Sequence, residues 1–159
     1  MLRASVFLVA IIAMAVPASS GTVFNQFQDA SLRTTGRAPL GGSVPLVTAG
    51  PIFDGMSAGE LGAMLALPGS FQETRFVPAE QMNRIDGIRV VLAFGQSSPS
   101  GLCDDAPSGG GANGVVSAAF CLGGRELSRA TLRRGRNLER DMRQLMDVLF
   151  RPRGGNPRL

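Results

Sequence analysis

Ile88-Arg89-Val90-Val91-Leu92-Ala93-Phe94 is the stretch on which the fold turns. In an extended chain Ile88, Val90, Leu92 and Phe94 fall on one side, and Arg89, Val91 and Ala93 on the other. Both sides are mostly apolar, so the segment belongs in the middle of a sheet, with cover on each face. Residues 115–121 are of the same kind, with Val116, Ala118 and Phe120 on one side. Gly123-Gly124 then reads as a hairpin turn into a further strand over 126–132. Between the first two strands, residues 95–114 are rich in serine, proline and glycine. That run is too long for a tight hairpin and too polar for a core, and it reads as a flexible loop.

Working upstream, residues 74–78 form a short extended piece. Ser57-Ala58-Gly59-Glu60 is a capping box, in which the serine oxygen takes an orphan amide and Glu60 reaches back to the cap. Met56 and Leu61 make a hydrophobic staple across it. Leu61, Met64 and Leu65 share one face of the short helix that follows, and Pro68-Gly69 closes it. Residues 41–50 place Val44, Leu46 and Val47 around Pro45, which demotes the segment to an edge strand or extended arm. Residues 21–40 are polar and small without a period, a loose lead-in with one short strand at 22–27.

Downstream, Asn137 is an N-cap, with Glu139 and Asp141 where the helix dipole favours acid. Leu138, Met142, Leu145 and Leu149 keep a three–four spacing, and Met146 and Phe150 widen the stripe. Pro152 stops that helix. The elements add up to an α+β fold: an antiparallel sheet of four to five strands with two helices packed on one face.

The first residues have a different character. Arg3 is followed by an unbroken apolar run over 6–16, then by Pro17, Ala18, Ser19, Ser20 and Gly21. This is the order of a secretory signal peptide, cleaved after Ala18 or Ser20. Its apolar run is well short of the roughly 20 residues that span a bilayer, so no integral span is expected after cleavage. The resulting divisions are a signal peptide at 1–20, a flexible lead-in at 21–42, one domain at 43–150 and a disordered basic tail at 151–159. The destination is the periplasm.

Composition removes several kinds of chemistry. The chain has no histidine, tryptophan or tyrosine, and all 16 of its basic residues are arginine. Without histidine there is no ordinary general base near neutral pH and no imidazole ligand, and serine–histidine and cysteine–histidine catalysis are excluded within this chain. Lysine chemistry is excluded as well. A carboxylate pair remains open, with Asp104 and Glu126 as its candidates. Asp104-Asp105 lacks a further acid before Glu126, so no calcium loop or other metal site is expected. Gly109-Gly110-Gly111 is not followed by lysine and is no phosphate loop; no cofactor is expected.

Two features invite a contact role. Cys103 and Cys121 are the only cysteines, and in an oxidising compartment they read as one structural disulfide tying the loop to the strand after it. Charge is uneven: five arginines against eight acids over 21–124, but ten arginines against four acids from Arg125 onward. In a strand over 126–132, Arg125, Leu127, Arg129, Thr131 and Arg133 fall on one face. Arg125, Arg129 and Arg133 are thus candidates for an anion or partner contact, and the same arginines can guard a sheet edge. Nucleic acid is not an expected partner, since aromatics for base stacking are missing. An envelope protein or an anionic surface is.

Val90-Val91-Leu92-Ala93-Phe94, Leu102-Cys103, Ala118-Ala119-Phe120-Cys121, Gly124-Arg125-Glu126-Leu127-Ser128 and Leu149-Phe150-Arg151-Pro152 together resemble a group of uncharacterised small exported proteins of GC-rich Gram-negative bacteria. The resemblance covers less than half the chain and implies no activity or site. It adds support to the pairing of Cys103 with Cys121. The expected function is a non-enzymatic periplasmic accessory or binding protein acting through protein contacts. A carboxylate-based hydrolase and anionic lipid binding through the arginine-rich last third are the alternatives.

Overall fold

The structure, a computed structural model, describes residues 22–28, 42–65, 74–82, 87–96, 101–104, 107–111 and 114–150. The expected signal peptide, the basic tail, Pro68-Gly69, Asp105 and most of the lead-in lie outside these residues. Six strands form one sheet: β1 (Thr22–Gln28), β2 (Gly42–Ala49), β3 (Thr74–Pro78), β4 (Ile88–Phe94), β5 (Val115–Leu122) and β6 (Arg125–Arg133), in the order β1-β6-β5-β4-β2-β3. Two α-helices accompany them, α1 (Ala58–Met64) and α2 (Leu138–Phe150). The fold is α+β as expected.

The sheet is mixed, which corrects the expectation of an antiparallel one. β1, β6, β5 and β4 pair antiparallel, but β2 runs parallel to both β3 and β4. The reason for the first parallel pair is α1, which lies between β2 and β3 in the chain and carries it back across the sheet. Between β3 and β4 the described residues hold one short 3-10 turn, Ala79–Gln81. Leu46 pairs with Pro78 on one side and with Val90 on the other. β3 therefore ends at the level where the β2–β4 ladder begins.

This arrangement also accounts for Pro45, which sits inside an interior strand and not at an edge. The β3 ladder covers residues 42–46 of β2 and the β4 ladder covers 46–49. At Pro45 the strand has a paired neighbour on one side alone among the described residues, so its missing N–H falls in an edge-like stretch. The real edges are β3 and β1. Residues 22–28 of the lead-in pair with β6 along their length, with an irregularity between Asn25 and Phe27.

Both helices pack on one face of the sheet. Leu46, Val90, Leu92, Val116, Ala118 and Phe120 meet Leu61 of α1 and Met142, Leu145, Met146 and Leu149 of α2 there, all fully or almost fully buried. Phe53 and Phe94 meet edge to face with centroids 5.1 Å apart, and Phe120 and Phe150 meet at 4.7 Å with their planes tilted by 54°. The three–four stripe of α2 is therefore core.

Local chemistry sets the helix starts. Glu60 N–H donates to Ser57 Oγ at 3.2 Å, and Glu60 Oε2 accepts from Ser57 N–H at 2.9 Å and from its hydroxyl at 2.7 Å. This closes the capping box. Asn137 Oδ1 accepts from Arg140 N–H at 2.9 Å, and Asp141, fully buried, takes Gly135 N–H at 2.6 Å. Before α1 the chain makes a tight Asp-Gly turn. Asp54 (φ 59°) and Gly55 (φ 69°) both lie in the left-handed region, and Met56 N–H reaches Phe53 O at 3.2 Å. Aspartate tolerates that conformation better than most side chains.

The other face is covered by the loop between β4 and β5. Val91, Ala93 and Ala119 pack there against Leu102 and Cys103. Residues 109–111, expected as part of a flexible loop, are instead seated by backbone contact. Gly110 N–H donates to Phe94 O at 2.8 Å. A Cβ on Gly95 (φ +82°) would lie 1.8 Å from Gly111 O, and one on Gly109 would lie 2.1 Å from Gly50 N. The glycines are there because two stretches of backbone touch.

Gly95→Ala should accordingly lower stability by more than about 2 kcal/mol. Gly111→Ala, with nothing within 4 Å of its Cβ, should change it by less than about 0.5 kcal/mol; denaturant titration of the two variants checks this. The capping box sets a second expectation. The Ser57 backbone and hydroxyl bonds hold the Glu60 carboxyl below its ordinary value of 4.5. A depressed carboxylate stabilises the fold above its unfolded pKa, and that contribution fades as pH falls through the lower folded value. An NMR titration should place the Glu60 midpoint below 4.5, and Ser57→Ala should move it back up.

Candidate functional site

Cys103 and Cys121 are joined in a disulfide with their Cα atoms 5.6 Å apart. Both are buried, and the bond fastens the loop after β4 to the outer half of β5. It is formed as expected, and it suits an oxidising compartment. Arg89 reinforces it. This side chain is the cross-strand neighbour of Cys121, is 8% exposed, and donates from Nη2 to the carbonyl oxygens of Cys103 and, at 3.4 Å, of Asp104. Disulfide and guanidinium thus grip one short piece of loop. A charge inside an otherwise wholly apolar strand was the signal for this contact. What the sequence did not reveal is that its partners are backbone carbonyls and not an acid.

The strand carrying the candidate arginines contains an extra residue. Phe120 pairs with Ser128 and Cys121 with Glu126, so Leu127 is a bulge in β6. A bulge of this kind shifts the side-chain alternation by one position. Leu127 and Ser128 both reach the helix-side core, where Ser128 Oγ donates to Leu149 O at 2.7 Å and satisfies one of the open carbonyls at the end of α2. Glu126 and Arg129, three residues apart, come to one face and pair at 2.6 Å. On the same face Ser117 and Thr131 approach at 3.3 Å.

Arg125, Arg129 and Arg133 therefore do not share a face. Arg125 lies opposite Leu122 at the hairpin end, on the helix side, and is exposed. Arg129 is half-buried and held by Glu126. Arg133 is exposed at the far end, about 27 Å from Arg125 at the usual rise per residue. No single anion touches all three. Arg134, the next residue, is structural: its Nη2 lies 2.6 Å from Asp54 Oδ2 and its guanidinium stands 4.9 Å from the Phe53 ring centre. Both groups are partly exposed, so the pair itself contributes at most about 1 kcal/mol.

The acids are largely engaged in the fold. Glu60 closes the capping box, Asp54 meets Arg134, Glu126 meets Arg129, Glu139 meets Arg143 at 2.8 Å, and Asp141 accepts from Gly135 N–H. Of the carboxylate candidates, Glu126 is thus held by a cation. Asp104 is exposed in a turn whose amide bonds Gly101 O at 3.0 Å. Among the described residues no three acids or cysteines gather as a metal site would require, and no helix is long and apolar enough to cross a membrane.

Replacing both Cys103 and Cys121 by serine should cost about 3 kcal/mol of stability, the value for a loop of this order. Reductant should bring the native protein to the same midpoint and leave the double variant unmoved in denaturant titrations. No protein-family model, curated protein or solved structure matches this chain.

Proposed function

We propose that the chain is a non-enzymatic accessory protein of the periplasm that binds a polypeptide, and that the outer edge of β1 is the line of contact. The observation that carries this reading is the difference between the two sheet edges. β3 has five residues, includes Arg75 and Pro78, and has the α1 backbone against it, where a Cβ on Gly62 would stand 2.7 Å from Phe76 O. Charge, proline and cover are the usual devices that keep an edge from pairing. β1 has seven residues, Thr-Val-Phe-Asn-Gln-Phe-Gln, with neither charge nor proline, and no strand pairs with its outer side among the described residues. An edge of that composition accepts an added strand through main-chain hydrogen bonds. The engagement of most described acids in the fold favours contact over carboxylate catalysis. The disulfide is in keeping with a place outside the cytoplasm, and the resemblance to small exported proteins points the same way.

The test is in-cell cross-linking of the tagged protein in its native envelope. One partner should be captured reproducibly, and Asn25→Lys should abolish the capture while leaving the thermal midpoint and the disulfide intact; Arg75→Gln on the opposite edge should not. Turnover of a substrate by the purified protein, lost on Glu126→Gln or Asp104→Asn, would sink the proposal.

A further inference from the structure

The turn from β6 into α2 leaves positive charge that the fold does not use. Within residues 133–140, Arg133, Arg136 and Arg140 are exposed, and none forms an ion pair among the described residues. The neighbouring acids are committed elsewhere. Asp141 is buried and turned to Gly135 N–H, Glu139 is paired with Arg143, and Asp54 is paired with Arg134. The N-terminal end of a thirteen-residue helix adds its partial positive charge to the same corner.

We propose that this corner is a landing surface for an anionic lipid bilayer, with Arg133, Arg136 and Arg140 against the headgroup phosphates. The claim is separate from the strand-addition reading and does not need it. Two observations select a bilayer over other anions. Arg133 ends β6, Arg136 lies in the turn and Arg140 in the first turn of α2, all three exposed, so they suit many phosphates spread over a plane better than one desolvated ion. A folded protein partner would want a buried aromatic or aliphatic anchor. No large hydrophobic side chain is exposed among residues 133–143; Leu122, which is exposed, lies at the opposite end of β6. Binding is then electrostatic adsorption without insertion, each arginine contributing about a fivefold gain in affinity.

Sedimentation of the mature chain with vesicles tests this. Phosphatidylcholine vesicles containing phosphatidylglycerol should bind the protein, and pure phosphatidylcholine should not. The binding should weaken steadily as salt rises and the Debye length shrinks. The triple variant R133Q/R136Q/R140Q should lose on the order of a hundredfold in affinity with an unchanged thermal midpoint. The double variant R75Q/R125Q, altered elsewhere on the surface, should lose far less. Equal binding to both vesicle types, or full binding by the triple variant, overturns the proposal. Displacement by millimolar inorganic phosphate at constant ionic strength also overturns it, in favour of a discrete anion site.

Discussion

Strand β4 is apolar on both faces, and a sheet containing it is stable only if both faces are covered. On one side Val90, Leu92 and Phe94 lie under the two helices; on the other Val91 and Ala93 lie under a loop with little apolar surface of its own. Helices bring enough side-chain area to hold themselves down. A glycine- and serine-rich loop does not, and it must be fixed by other means. The disulfide, the buried Arg89 contact to two carbonyls and the Gly110–Phe94 backbone bond supply those means. The asymmetry between a helical cover and a fastened loop follows from that one requirement.

The bulge at Leu127 shows how a single residue can serve two surfaces. By placing Leu127 and Ser128 on the helix side it gives α2 an apolar contact and a hydrogen bond for a terminal carbonyl. By placing Glu126 and Arg129 together on the other side it neutralises a charge that would otherwise stand alone on a half-covered face. The charges of the last third divide accordingly. Arg129 in β6, Arg134 in the turn and Arg143 on α2 are each balanced by an acid within the fold, whereas Arg133, Arg136 and Arg140 face solvent.

Much of this architecture was legible because it rests on local chemistry. The capping box at Ser57, the N-cap at Asn137, the stripe of α2 and the two-faced apolar pattern of β4 each declare themselves within a few residues. The parallel pairing of β2 did not, because it depends on β3 and β4 both pairing at Leu46, whose partners Pro78 and Val90 lie 32 and 44 residues away in sequence. Pro45 pointed to an edge and was half right in its physics, since β2 is unpaired on one side at that residue. The bulge was invisible because alternation across 125–133 fits an unbroken strand equally well. The arginine grouping built on that alternation therefore separated. Gly109-Gly110-Gly111 reads as flexibility, although Gly109 and Gly110 answer to a lack of space, since a Cβ on either would meet backbone.

The division of β2 into two half-ladders has a consequence for how the molecule opens. Leu46 alone belongs to both ladders. β3 and α1 are attached through the first half of β2, whereas β4, β5, β6 and β1 form a continuous antiparallel block joined through its second half. The β3–α1 unit can come away without breaking a hydrogen bond of that block. Native-state amide exchange should then show two tiers: a smaller cooperative unit around β3 and α1 that exchanges through partial opening, and a larger one that exchanges only when the whole domain unfolds.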